Sequence, residues 1–347
     1  MAKTNPKLGD AADPLLLGRG SVHGARLKSV LKRDVREWAP VLALAVLWVG
    51  FSLADARFAD PTNIRTLASQ AAVPLILATG LTFIVVQGSI DLSIEGVMAA
   101  CSLCFALLVR NNRSGFDFGY AAIPASMVLG AGFGAVNGLL VVGLRVPSFM
   151  ATLGMWSITS GVAMLISAGE PPQIKDMALR TWALGDSFGV PRLTIVAAVF
   201  LAVGYVLQTY TRFGRYSYVI GGSEEIARLS GIAVDRFKVL AFAFGALSAG
   251  LAAALESARL GLGHVEIGAN QMFLTVTAVV IGGTSLIGGS GGVIHSAIGV
   301  LILTELSSGM IYVGVSPYMQ TAVRGAIILL AVTAATWRLR KRLRVIK

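Results

Sequence analysis

Two acids stand inside otherwise apolar sequence, Asp91 and Glu95 of Gln87–Gly96 (QGSIDLSIEG). A carboxylate at membrane depth costs about 2.5–3.5 kcal/mol, so it normally pairs with another group or faces a water-filled cavity. The i,i+4 spacing puts both acids on one face if the segment is helical. Ser93 and the free amides of a turn are available to satisfy them. Such a pair suits proton carriage or contact with a polar solute. The competing structural reading is that Asp91 does no more than cap the next helix, since Asp is among the best N-caps.

A second cluster is polar outright. Gly214–Ile232 (GRYSYVIGGSEEIARLSGI) lies between two long apolar runs. Ser223 can cap a helix start, and Glu224 and Glu225 sit in the first turn, where the helix dipole favours acids. Glu224 and Arg228 have the better i,i+4 order for an ion pair. Gly231 supplies a left-handed stop. Ile226 and Leu229 are left on one face, as an amphipathic helix offers them to a partner's groove.

The remaining candidates are weaker. Asn137 stands in an apolar run. Pro147 suits a helix start, and Phe149, Thr152 and Trp156 project along a similar face, a pattern shared by sugar-binding and ordinary packing surfaces. Glu305 and Arg324 are candidates for a pair across neighbouring helices, and Glu256 is a further acid near a span. His264 and His295 are isolated, and the only cysteines, Cys101 and Cys104, lie in an apolar run that offers no thiolate stabilisation. No metal site is expected. The glycine run Gly282–Gly292 (GGTSLIGGSGG) lacks the Lys of a phosphate loop, and GxxxxGK[ST] occurs nowhere in the chain. No HExxH motif or Ser/His/Asp grouping offers a catalytic centre. The chain is therefore read as non-catalytic, without a cofactor, and drawing any ATP energy from another subunit.

The elements that must position these residues are membrane helices. Of 347 residues, 55% are hydrophobic and 14% charged, against roughly 25% charged in soluble domains. The predicted architecture is an all-α polytopic bundle of about ten spans (eight to ten). Its apolar runs are about 38–54, 70–87, 91–109, 121–143, 147–167, 192–210, 238–258, 270–283, 290–311 and 317–336. The net charge of +11 gathers at the termini and in the polar loop, the positive-inside pattern, and argues against nucleic acid. It predicts that both termini are cytoplasmic. Residues 1–37 and 337–347 are expected to be basic cytoplasmic tails flanking a transmembrane domain, 38–336, with a cytoplasmic loop at 211–237. The two Gly-interrupted places, 87–96 and 282–292, each follow paired valines, and paired breaks can mark a central transport site.

Four segments in register resemble the permease subunits of bacterial ABC importers for ribose and related sugars. They are Ala78–Ile94 (ATGLTFIVVQGSIDLSI), Val136–Gly161 (VNGLLVVGLRVPSFMATLGMWSITSG), Gly214–Ile232 and Ala278–Gly292 (AVVIGGTSLIGGSGG). The resemblance covers roughly 58–335. It implies an inner-membrane permease, with broken helices, that pairs with a second copy or a homologue. Two ABC ATPase subunits would bind inside, a periplasmic solute-binding protein would dock outside, and membrane lipid would surround the bundle. It implies an ATPase-coupling role for Gly221, Gly222, Ser223, Glu224, Glu225, Ala227, Arg228, Leu229, Gly231 and Ile232. The pathway candidates are Asp91, Ser93, Glu95, Asn137, Phe149, Thr152 and Trp156. The chain departs from the family at Ser223, where Asn is usual, and at Met272 and Leu274, where acids are usual. It also has Glu95 where many sugar permeases have Gly, a variation reminiscent of nucleoside permeases. The expected cargo is a monosaccharide or polyol, with a nucleoside or other small polar solute as the alternative. A proton-coupled secondary transporter is the reading from a different class.

Overall fold

The computed structural model describes residues 38–336; the two basic tails expected at 1–37 and 337–347 lie outside the described residues. Each of the ten apolar runs forms a helix. They are α1 (Trp38–Ala54), α2 (Pro61–Val86), α3 (Ile94–Leu108), α4 (Ala122–Gly143), α5 (Ser148–Ser167), α7 (Arg192–Tyr210), α10 (Val234–Leu260), α11 (Gln271–Ile281), α12 (Val293–Tyr312) and α13 (Pro317–Thr336). Six of them, α2, α4 (taken from Gly119), α5, α7, α10 and α12, are long and apolar enough to cross a membrane. The fold is a polytopic helical bundle.

Close approach explains the glycines. Gly130, Gly134 and Gly138 recur every four residues along α4 and meet the α10 backbone at Ala246, Phe242 and Val239, where any Cβ would collide. This spacing lets two helices touch backbone to backbone, which replaces the hydrophobic drive that lipid does not supply. Ser126 Oγ donates to the Gly250 carbonyl at 2.9 Å in the same interface. The buried centre is built on α2 and α10, with Phe83 stacked on Phe213 at 4.8 Å and edge-on to Phe244 at 5.1 Å.

Short elements occupy the connections. Helix α6 (Met177–Leu184) starts at Asp176, whose side chain accepts from Leu179 N. It leads into a two-residue hairpin, β1 (Asp186–Ser187) with β2 (Val190–Pro191). These elements escape a reading by apolar runs because they are too short and polar to carry a period. The polar loop also holds more than the one helix expected there: α8 (Arg212–Gly222) precedes α9 (Glu224–Leu229). Arg113 donates to the carbonyls of Ile166, Ser167 and Glu170 at the end of α5. A cation at that helix end is locally favourable.

Candidate functional site

Helix α9 is assembled as its residues predict. Ser223 Oγ accepts from Ile226 N at 3.3 Å, and Arg228 pairs with Glu224 at 3.0 Å. Gly231, at φ +76°, closes the end: its own N–H bonds the Arg228 carbonyl, and Ile232 N bonds Ala227 O at 3.1 Å. Two further ion pairs tie α9 to the start of α10, Lys238 to Glu224 at 2.5 Å and Arg228 to Asp235. Partial burial opposes ionisation of Glu224, but the Lys238 and Arg228 hydrogen bonds hold its carboxyl below the ordinary Glu range. Beneath these charges Ala227 is wholly buried with Ile220 of α8 and Val234 of α10, so α9 sits on its own small core. Outward it presents Ile226 (61% exposed) and Leu229 (83% exposed), with Glu225 exposed beside them.

Helix α8 then links α9 to both breaks in the bundle. Gly221 is wedged between the Val86 carbonyl and the Gly289 N–H, too tightly for a methyl group. Gly289 N donates to Val86 O at 2.9 Å, so the glycine run packs directly on the end of α2. Tyr218 OH donates to the Gly291 carbonyl at 2.7 Å and accepts from Gln208 Nε2 at 2.7 Å. Gln208 Oε1 in turn accepts from Val293 N at 2.6 Å, at the start of α12. On the other side Gln87 Nε2 donates to Ser217 Oγ at 2.9 Å and to Phe237 O at 3.2 Å. The glycine run thus lies against α8, the end of α2 and Gly88 of the first break, so the two breaks pack on one another.

The first break is an extended stretch between α2 and α3. Its freed backbone is met by side chains of α5: Ile90 N donates to Ser148 Oγ and Leu92 N to Thr152 Oγ1, both at 3.0 Å. Asp91 is 1% exposed and accepts from Ser93 N at 2.8 Å and Ser93 Oγ at 2.6 Å. Asn137 Nδ2 of α4 donates to the same Ser93 Oγ at 2.9 Å. Asp91, Ser93, Asn137 and Thr152 are therefore brought together, all buried.

Four expectations are corrected here. Asp91 and Glu95 do not share a helical face, because α3 begins only at Ile94. Asp91 does not cap α3 either: it closes a two-residue turn onto Ser93, which is the N-cap residue. Phe149 and Trp156 are exposed while Thr152 between them is buried, so the three do not form one surface. Glu305 and Arg324 do not pair. Glu305 faces α1 and α2, whereas Arg324 lies against Leu303 and Ser307 of α12 and against α11. Glu256 pairs instead with Arg259 on its own helix at 2.6 Å. Residues that the sequence does not single out, Gln87, Ser148, Gln208, Ser217 and Tyr218, carry much of the network. Each had only a weak signal: Gln87, Ser148 and Gln208 stand at the edges of apolar runs, and Ser217 and Tyr218 within the polar stretch Gly214–Ile232.

A polar cavity of about 700 Å³ joins the two regions. It reaches from Gly88, Ser89 and Ser148 at the first break to Glu224, Arg228, Asp235 and Lys238, with Arg145 on its wall.

Residues 63–332 match the family described as branched-chain amino acid transport system / permease component. The chain is 36% identical over 306 residues to the ribose import permease protein RbsC of Escherichia coli (strain K12), covering 87% of this chain and 94% of that one. It is 34% identical over 300 residues to the ribose import permease protein RbsC of Bacillus subtilis (strain 168), covering 86% and 92%. The L-arabinose transport system permease protein AraH of Escherichia coli (strain K12) is 29% identical over 296 residues, covering 85% and 89%. No solved structure matches the chain. With a family match over most of its length and relatives that it spans nearly end to end, the chain belongs to this family of membrane-embedded transport permeases.

Proposed function

We propose that the chain is the permease subunit of an ATP-driven importer that carries a monosaccharide or polyol, ribose-like in size, across the inner membrane. The observation that carries the coupling is α9: a capped, ion-paired helix with Ile226 and Leu229 outward, seated on α8, which in turn holds both breaks of the bundle. The substrate class rests on the relatives named for ribose and arabinose.

In this reading α9 and both termini are cytoplasmic, and α9 docks in a groove of an ABC ATPase subunit. A periplasmic binding protein delivers the solute, and two permeases, identical or homologous, flank the pathway. Closure of the ATPase pair on ATP moves α9. The ion pairs to α10 and the glycine wedge at Gly221 pass that movement to α2 and to the glycine run. The solute is driven through by its different affinity for the outward- and inward-open states. The Asp91–Ser93–Asn137–Thr152 cluster holds the broken segment in shape, while Glu95, Phe149 and Trp156 remain the candidates for solute contact. Chemistry in this chain is confined to binding and movement; the phosphate chemistry belongs to the ATPase.

The test is reconstitution in proteoliposomes with a cognate ABC ATPase and a periplasmic binding protein. Ribose-stimulated ATP hydrolysis and ATP-dependent uptake are expected, and both should vanish in Glu225→Arg or Gly231→Pro while the permease still folds. Uptake by this chain alone, abolished by an ionophore, would overturn the reading in favour of a proton-coupled carrier. Stimulation by nucleosides but not by sugars would keep the coupling and replace the cargo, the outcome that Glu95 favours.

A further inference from the structure

Away from the coupling region, a groove of about 510 Å³ runs between α1, α2 and α12. Its walls are Trp48, Val49, Ile64, Leu67 and Leu301, and within it sits a single acid, Glu305. Glu305 is 5% exposed and its Oε2 has no hydrogen-bond partner. Among the described residues, no cation lines the groove. Arg324, the nearest base by sequence expectation, faces α11 from the other side of α12. Arg57, in the turn between α1 and α2, is held by Asp55 at 2.7 Å.

The position narrows the choice of occupant. Glu305 lies seven residues before the end of α12, about 10 Å along the axis, and Ile64 lies three residues inside the start of α2, about 5 Å. The groove therefore runs inward from near the turn between α1 and α2, within reach of the headgroup layer, to Val41 of α1 and Leu301 of α12. Its apolar walls offer nothing to a sugar's many hydroxyls. Its exposed side chains (Val49, Ile64, Leu301) offer an apolar surface suited to acyl chains. An unpartnered carboxyl in such surroundings is costly and is relieved by a cationic hydrogen-bond donor.

We infer that this groove binds a membrane phospholipid whose headgroup carries a primary ammonium, with acyl chains along Leu67 and Leu301 and the ammonium donating to Glu305. The site stands apart from the transport reading and does not depend on it.

The experiment uses the full chain purified in detergent, stripped of lipid, and titrated with three lipids of matched acyl chains while native mass spectrometry counts bound molecules. Phosphatidylethanolamine offers N–H donors. Phosphatidylcholine keeps the positive charge but has no N–H, and phosphatidylglycerol has neither. Phosphatidylethanolamine should be retained about tenfold better than either of the others, as expected for one charge-assisted hydrogen bond. Glu305→Gln should erase that preference, and Ser307→Ala, on the far face of α12, should keep it. Leu67→Trp, which fills the groove, should lower retention of the preferred lipid without touching the acid. Equal retention of the three lipids by the unaltered chain would overturn the proposal. So would a preference that survives both Glu305→Gln and Leu67→Trp, since the lipid would then sit elsewhere. The unaltered chain decides the first point even if a variant fails to fold.

Discussion

The bundle breaks its helices twice, and the two breaks are held by opposite means. At 87–96 the freed backbone is taken up by side chains from other helices: Ser148 and Thr152 accept from Ile90 and Leu92, and Asn137 reaches Ser93 beside Asp91. At 282–292 the partners are mostly backbone. Gly289 N bonds Val86 O, Ser285 N bonds Ser290 O, and Thr284 and Tyr218 add the side-chain contacts. The first break needs particular functional groups; the second needs the absence of Cβ atoms. Both are ways to satisfy irregular backbone inside a protein where water is scarce. The difference predicts what each can tolerate. Polar truncation should damage the first, and added volume should damage the second.

The largest effect is expected from Gly221→Ala, because the new methyl would meet the Val86 carbonyl and the Gly289 N–H, neither of which can swing aside. A loss of about 3 kcal/mol is expected, the upper end for overpacking, read as a lower melting temperature in detergent. Gly222→Ala, one residue on with open space around it, should leave that temperature nearly unchanged. If the two variants behave alike, the wedge is not what holds the second break.

Asp91→Ala comes next. It strands the Ser93 N–H and O–H donors in a buried site, with an expected cost of about 1–3 kcal/mol. Asn137→Ala should cost less, since Ser93 keeps its bond to Asp91. A larger effect from Asn137 than from Asp91 would invert the order of that cluster. Tyr218→Phe removes the hydroxyl that joins Gln208 to Gly291 and should cost about 1 kcal/mol, with faster amide exchange at Gly292 and Val293. No change in exchange there would show that the second break relies on backbone alone.

The smallest effect is electrostatic. Glu224 is held below its ordinary range, so its pairing contributes fully above the unfolded-state value of 4.5 and fades only as pH falls below it. Amide exchange in α9 should therefore be constant from neutral pH down to about 5, after correction for intrinsic rates, and loosen below it. Glu224→Gln should remove that dependence. Loosening near neutral pH would point to another group.

Much of the architecture is legible along the chain because membrane helices announce themselves by length and apolarity. All ten runs are helices, and the cap, ion pair and stop of α9 are local features within about ten residues. Among the polar candidates in apolar runs, Asp91, Ser93, Asn137 and Thr152 converge in space. What escaped has a physical cause in each instance. The extended start of the first break undid the i,i+4 reading of Asp91 and Glu95, since spacing implies a shared face only inside a helix. Glu305 and Arg324 stayed apart because the rotation of α12 between its neighbours is set by packing. Helix α8 looked like loop because its sequence is polar and glycine-rich, and only its contacts with Val86 and the glycine run reveal its position.

The sequence by itself determined what can be decided over short range: which segments are apolar enough to be helices, where α9 begins and ends, and that this chain lacks the phosphate loop of an ATPase. The tertiary structure decided which polar groups share a partner. Asn137 meets Ser93 across 44 positions, and Gln87 meets Ser217 across 130. A hydrogen bond requires an approach of about 3 Å, and no pattern in the chain encodes that distance until glycines have let the helices close on one another.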